Sequence, residues 1–324
     1  LIISLRLSLH LPVFCFFFHF LHPLLFFFYS LLILYTTAQK KQSGFFRLIC
    51  RRTVFLLLHK LYRNRLEALM ETILEFQNVS YAYHTLDGET PALDHISFSV
   101  KKGEFIAIVG PSGCGKSTLL SLIAGLLHPE EGQILIHGKS VELHNSNIGY
   151  MLQKDHLFEW RSIYRNIILG LEIQHKLNPQ TKEKAKELLA TYGLQNFAKA
   201  RPSELSGGMR QRAALIRTLV LDPDLLLLDE PFSALDYQTR LTVGDDIGQI
   251  IRKEKKTAIL VTHDLSEAVS LGDRVIVLSA RPAAIQQTIP LHFEMKEDTP
   301  LLRRNAPEFK TYFNLVWREL NGSE

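Results

Sequence analysis

Five apolar residues, Phe105–Val109, run without interruption into Gly110-Pro-Ser-Gly-Cys-Gly-Lys-Ser-Thr118, and helical spacing follows through Leu127. No other feature of the 324-residue chain limits its fold as tightly. A strand, a glycine-rich loop and a helix in that order form a phosphate cradle: the glycines let the backbone curl until successive N–H groups converge at the positive end of the helix. Gly110, Pro111, Ser112, Gly113, Cys114 and Gly115 are expected to shape that loop and Lys116 to neutralise phosphate oxygens. Ser117 and Thr118 would open the helix, with the Ser117 hydroxyl available to Mg²⁺.

Leu225-Leu-Leu-Leu-Asp-Glu230 is apolar enough for a strand covered on both faces, and it ends in two acids. At the carboxyl edge of a parallel sheet Asp229 would stand beside a nucleotide and reach Mg²⁺. Glu230 would orient and deprotonate an attacking water. Leu205-Ser-Gly-Gly-Met-Arg-Gln211 precedes an Ala/Leu/Arg helix. Ser206, Gly207 and Gly208 there expose N–H groups at a helix start, which reads either as a second anion site or as an N-capped helix with a flexible approach. Two phosphate-gripping helix starts on one chain suggest that two chains share each nucleotide.

The rest of the pattern is consistent with an α/β core. Thr72–Val79 and Ala92–Val100 alternate as an antiparallel pair does, with turn signals at Asp87-Gly88 and Pro91 between them. Gln133–His137, Ile148–Leu152, Ala258–Val261 and Val275–Leu278 read as further strands, and Thr181–Leu189, Gln238–Arg252 and Leu265–Leu271 as helices. Residues 160–220 form a mostly helical insertion, broken at Asn178-Pro179, Gly193 and Pro202.

Residues 1–69 are of different character. They hold nine Lys and Arg against one acid, Glu67, and eleven of the 20 Phe, while Leu11–Tyr35 is almost entirely apolar. That stretch is long enough to span a bilayer, with Lys40, Lys41, Arg47, Arg51 and Arg52 holding its far end inside. Export is set aside, since it would part the nucleotide site from ATP. The other reading is an over-extended start: the chain begins with Leu1, its first methionine is Met70, and the Phe-rich, Asp-free composition resembles translated non-coding DNA. Residues 70–324 are then expected to make one self-sufficient domain. From Met70 onward acids outnumber bases by four, so the net charge of +4 gives no hint of a nucleic-acid partner. Three scattered cysteines, Cys15, Cys50 and Cys114, make neither a disulfide framework nor a zinc site and suit a reducing compartment.

The loop at 110–118, the Leu-Ser-Gly-Gly run and the Leu225–Glu230 strand, in that order, resemble the Walker A, signature and Walker B motifs of the nucleotide-binding subunit of an ABC transporter. The resemblance covers about residues 72–285 and implies a P-loop NTPase core with an antiparallel β subdomain and a helical insertion. It also gives roles to residues that spacing alone leaves mute. Tyr83 resembles the aromatic that stacks on adenine, with Tyr81 as the near neighbour. Gln153 matches the Q-loop, Ser233-Ala-Leu-Asp236 the D-loop, and His263 in Val-Thr-His-Asp the switch histidine. By the same resemblance two copies sandwich two ATP molecules, each between one copy's Walker A and the other's Ser206–Gly208. Glu230 polarises the water, His263 contacts the γ-phosphate, and Asp229, Ser117 and Gln153 organise Mg²⁺.

At most one membrane span and only about 40 residues after the core imply a stand-alone subunit on the cytoplasmic face of a membrane, docked on a separate permease and served by an extracytoplasmic solute-binding protein. Tyr150–Arg161 followed by Asn166-Ile-Ile-Leu-Gly170 is similar to importers of the nitrate, sulfonate and taurine type. Arg281-Pro282 resembles that group's Arg-Pro-Gly, although Ala283 stands in place of the glycine. Thiamine-pyrimidine precursors are an alternative cargo, and a soluble ABC ATPase acting on a macromolecular complex is an alternative role. Phe158, Trp160 and Tyr164 are expected to form part of the permease groove.

Overall fold

Alternating apolar and polar residues from Thr72 make β1 (Thr72–Thr85), which pairs antiparallel with β2 (Gly88–Lys101). These are the first elements of the computed structural model, which describes residues 72–322 apart from 87, 142–146 and 296. The expectations for residues 1–69 lie outside the described residues. β2 begins before the expected Ala92 and runs through Pro91, which faces Ala82 of β1. A proline is tolerated there because β2 lies at the edge of its four-stranded sheet.

β3 (Phe105–Val109) is buried at every position and leads into α1 (Lys116–Ile123). That helix stops a turn short of the expected Leu127, because Gly125 adopts φ +69°. A left-handed glycine of this kind closes a helix by turning its last N–H groups back onto free carbonyls. β4 (Glu131–Ile136) and β5 (Lys139–Ser140) complete a four-stranded sheet of order β2-β1-β4-β5.

β6 (Ile148–Met151) starts the edge of the second sheet. The helical stretch follows as α2 (Ile163–Ile167), α3 (Leu169–Ile173), α4 (Pro179–Thr191) and α5 (Gly207–Leu219). Asn178 opens α4 with a capping box, its side chain accepting from Thr181 N at 2.9 Å. β7 (Leu225–Asp229), α6 (Tyr237–Lys253), β8 (Thr257–Val261), α7 (Leu265–Leu271), β9 (Arg274–Leu278) and β10 (Ile285–Pro290) then build the sheet of order β10-β9-β3-β8-β7-β6, parallel except for β10.

Strand periodicity divides the core. Leu225 and Leu227 of β7 face α1 and the antiparallel sheet, packing with Leu119, Ile123 and Phe76. Leu226 and Leu228 point the other way, toward Leu215, Leu219 and Ile247 of the helical side. The parallel strands thus bury both faces, which is why they read as unbroken apolar runs. All of their carboxyl ends, and hence the loops after β3, β7, β8 and β9, lie on one edge. Two helices that the sequence reading did not anticipate close the chain, α8 (Pro300–Asn305) and α9 (Pro307–Asn321), each with proline at its first position. Among the described residues no helix is long and apolar enough to cross a membrane.

Candidate nucleotide site

At the carboxyl end of β3 the chain turns through Gly113 at φ +73° and Gly115 at φ +126°, conformations that strain any L side chain. Lys116 starts α1 and is only 7% exposed, its Nζ donating to Gly110 O at 2.9 Å and Pro111 O at 2.8 Å. Pro111 has no N–H to offer, and Cys114 is buried, its thiol raised in pKa by desolvation. A cavity of about 290 Å³ opens over the loop, lined by Tyr83, Ser112, Lys116, Ser117, Glu230 and Arg281 among others. Tyr83 reaches it from β1, with its hydroxyl 3.0 Å from Thr118 Oγ1. Tyr81 does not line the cavity and stands edge-on to Tyr83 at 5.0 Å, partly buried against the core.

The two acids after β7 divide in environment. Asp229 accepts from Ser117 Oγ at 3.3 Å and from the Tyr150 hydroxyl at 3.4 Å. Burial raises its pKa, while those two hydrogen bonds oppose the shift; burial also pushes the Tyr150 hydroxyl up to about 12. Glu230 is held at φ 44°, a left-handed conformation rare for a residue with a side chain, and its N donates to Val261 O at 2.9 Å. That backbone turn aims its carboxylate at two partners from distant loops: Gln153 Nε2 and His263 Nδ1 each lie 3.2 Å from the same oxygen, Oε2. Ser233 ties the far side, donating to Glu230 O at 3.0 Å. The oxygen-only donors around Ser117 and Asp229 suit a hard divalent cation, and one carboxylate with a hydroxyl is a common protein share of a Mg²⁺–nucleotide site.

Ser206, Gly207, Gly208 and Asp236 do not line this cavity. Ser206 caps α5 by accepting from Met209 N at 3.4 Å, and Asp236 caps α6 by accepting from Thr239 N at 3.1 Å. Tyr150 and Arg281 belong to the site and were not anticipated in these roles. Arg281 follows β9 as the phosphate loop follows β3, so its position on the carboxyl edge was the available signal. Its Nε donates to Pro91 O at 2.9 Å.

Beside the site, the loop after Gln153 carries Phe158 and Trp160, ring centroids 4.7 Å apart, with Trp160 73% exposed. Phe158 lines an apolar cavity of about 310 Å³ with Tyr150, Leu169, Ile173 and Leu221. Tyr164 is partly buried against the helical-side core, and neither it nor Trp160 lines this cavity. Asn166, fully buried, knots the loop: its Oδ1 accepts from Phe158 N at 2.7 Å while Nδ2 donates to Phe158 O, Arg161 O and Ser162 O.

The ABC transporter family model matches residues 93–233. The chain is 46% identical over 253 residues to the uncharacterized ABC transporter ATP-binding protein YtlC of Bacillus subtilis, covering 78% of this chain and 97% of that one. It is 41% identical over 232 residues to the aliphatic sulfonates import ATP-binding protein SsuB of Bacillus subtilis, covering 72% and 88%. Among solved structures, the dimeric structure of MJ0796, a bacterial ABC transporter cassette, is similar at TM-score 0.59 and 29% identity, covering 68% of this chain and 99% of that one. The same cassette in a post-hydrolysis state bound to ADP and Pi aligns at TM-score 0.56 and 29% identity, covering 66% and 99%. With a phosphate loop, two acids at a strand end and this degree of likeness along nearly the whole length of its relatives, the chain belongs to the ATP-binding subunits of ABC transporters and is an ATPase of that family.

Proposed function

We propose that the chain is the ATPase of an importer for a small anionic solute of the sulfonate type, working as one of a pair of ATPase subunits against a separate permease at the cytoplasmic face of the membrane. Support for the cargo class comes from the sulfonate importer ATPases at about 40% identity. The observation that carries the coupling is the adjacency of the Trp160 loop to the reacting carboxylate: the loop starts at Gln153, whose amide touches Glu230.

In this reading Tyr83 stacks on the adenine, and the loop N–H groups with Lys116 hold the phosphates. Ser117, Asp229 and Gln153 would hold Mg²⁺, which would supply charge neutralisation. Glu230 takes a proton from water as its oxygen attacks the γ-phosphorus in line, and the bond from phosphorus to the β–γ bridging oxygen breaks to release ADP. His263, with Nδ1 3.2 Å from the same carboxylate, faces the transferred phosphoryl group. A second copy brings Ser206–Gly208 and Asp236 to the open side of the cavity, so that closure of the pair completes the site.

The test is purification of the C-terminally tagged chain from native membranes with mass spectrometry of what accompanies it. A multi-span permease should be recovered, and Trp160→Ala should lose it, since an exposed aromatic anchor is where interface energy concentrates. Recovery with cytosolic partners alone, or equal permease recovery by the variant, would overturn this reading.

A further inference from the structure

The stretch that follows β9 folds back onto the antiparallel sheet and is held there at several points. Ala283 N donates to Ala92 O at 2.9 Å and Ala283 O accepts from Asp94 N at 2.9 Å, which joins the stretch to β2. Ser279 closes the turn before it: its Oγ accepts from Ala284 N at 2.8 Å and donates to Ala280 O at 2.9 Å. Ala283 itself is fully buried.

This clamp fixes where the Arg281 side chain begins, and a further bond fixes where it ends. Its Nε donates to Pro91 O at 2.9 Å, and its two Nη groups carry no hydrogen bond or ion pair among the described residues. Arg281 lines the cavity over the phosphate loop, where the other charged residues are Lys116 and Glu230. Lys116 gives two of an ammonium's three donors to loop carbonyls, whereas Arg281 gives one of a guanidinium's five to Pro91. Most of the positive donor capacity that this cavity has left therefore belongs to Arg281.

Sheet order places that cation. β9 lies on one side of β3, with β8 and then β7 on the other. At about 4.8 Å between neighbouring strands, the ends of β9 and β7 stand about 14 Å apart. Glu230 and Arg281 thus flank the phosphate loop from opposite sides. On the Arg281 side the loop bends at Gly115, where an added Cβ would come within 2.9 Å of Ala92 O, the carbonyl next to the one that Arg281 holds. The guanidinium is stationed beside the bend of the loop and away from the carboxylate that meets the water.

We propose that Arg281 is a nucleotide-binding residue, whose Nη groups donate to non-bridging oxygens of the phosphates that ATP and ADP share. The inference rests on the assignment of this cavity to the nucleotide. A planar guanidinium gives paired N–H bonds to a phosphate, and one already fixed at Nε loses little freedom in doing so. Because the γ-phosphate is not part of the contact, substrate and product are held alike, and binding of that uniform kind lowers KM without raising kcat.

The experiment measures the affinity of the full chain for ADP, a non-hydrolysable ATP analogue and adenosine by competition with a fluorescent ADP, in wild type, Arg281→Ala, Arg281→Lys and Lys116→Ala. Arg281→Ala should weaken ADP and the ATP analogue by the same factor, about ten-fold, the scale of a hydrogen bond to a charged group. Adenosine, which has no phosphate, should stay within about two-fold of wild type, and in turnover the loss should fall on KM for ATP rather than on kcat. Arg281→Lys keeps the charge without the fork and should recover part of the loss. An equal loss for adenosine would overturn the proposal, because the residue would then only support the Pro91–Ala92 backbone. A loss confined to the ATP analogue would overturn it by placing the guanidinium on the γ-phosphate, and Arg281→Lys no tighter than Arg281→Ala would overturn it because charge would not be the agent. Unchanged ADP affinity in Arg281→Ala, beside a Lys116→Ala protein that has lost ADP, removes the proposal alone. Lys116→Ala that binds ADP as wild type does would remove the assignment of the cavity, and the proposal with it.

Discussion

Replacing Asn166 with alanine deletes four side-chain hydrogen bonds, but not every backbone group they satisfy is left alone. Phe158 O keeps the bond from Arg161 N at 3.0 Å, and Ser162 O keeps the one from Asn166 N at 2.9 Å. Phe158 N and Arg161 O are the two that lose the partner shown for them. An unsatisfied buried polar group costs about 1–3 kcal/mol, and because these two are only part-buried the lower half of that range applies, giving about 2–4 kcal/mol together. For a domain of this size that is a fall of about 4–16 °C in Tm. Asn166→Asp should fare no better, since it sets acceptor lone pairs against three carbonyls. The assay is a thermal melt, paired with recovery of the permease proposed above. The variant's loop should release Trp160 from its fixed presentation, so recovery falls together with Tm. A melt within about 2 °C of wild type and unchanged recovery would refute the reasoning, because it would mean that the loop holds its shape without the side chain.

Glu230→Gln keeps the contact with Gln153 but removes the base, so phosphate release should fall by about 10²–10⁴-fold while nucleotide binding persists; near-normal turnover would refute the assignment. Glu267 ties stability to pH. Its folded-state pKa of about 7 lies above the ordinary 4.5. The contribution is therefore fully present below about 4.5 and is lost as pH rises through about 7, a swing of about 3 kcal/mol. Glu267→Gln should accordingly melt higher than wild type at pH 8 and level with it near pH 5, and the same offset at both would count against a buried titrating carboxyl.

What the sequence disclosed depended on how far apart the partners lie. The phosphate loop, the parallel strands and helices α4, α6 and α7 were legible because each is dictated by contiguous residues, down to the switch to unbroken apolar runs at 225–228 and 258–261. The end of α1 was misplaced by apolar residues beyond Gly125, where backbone conformation outweighs pattern. The start of β2 was misplaced because Pro91 reads as a breaker until its edge position is known. Tyr150 on Asp229 and Arg281 on Pro91 join residues 79 and 190 positions apart, so no local pattern announces them. The arginines of α8 were silent for the same reason: in isolation Arg303-Arg304 is an ordinary solvated charge run, and only the docking of α8 on α6 turns it inward.

Cys114 stands two residues before Lys116, the lysine proposed to hold phosphate, where a modified sulfur would crowd the loop. The fold removes that hazard by orientation. The sulfur lies so close beneath Gly110 that a Cβ there would come within 2.9 Å of it, and desolvation disfavours the thiolate on which oxidants and alkylating agents depend. Sulfur in this loop therefore serves as packing material beneath the phosphate-loop backbone, held in its less reactive thiol form.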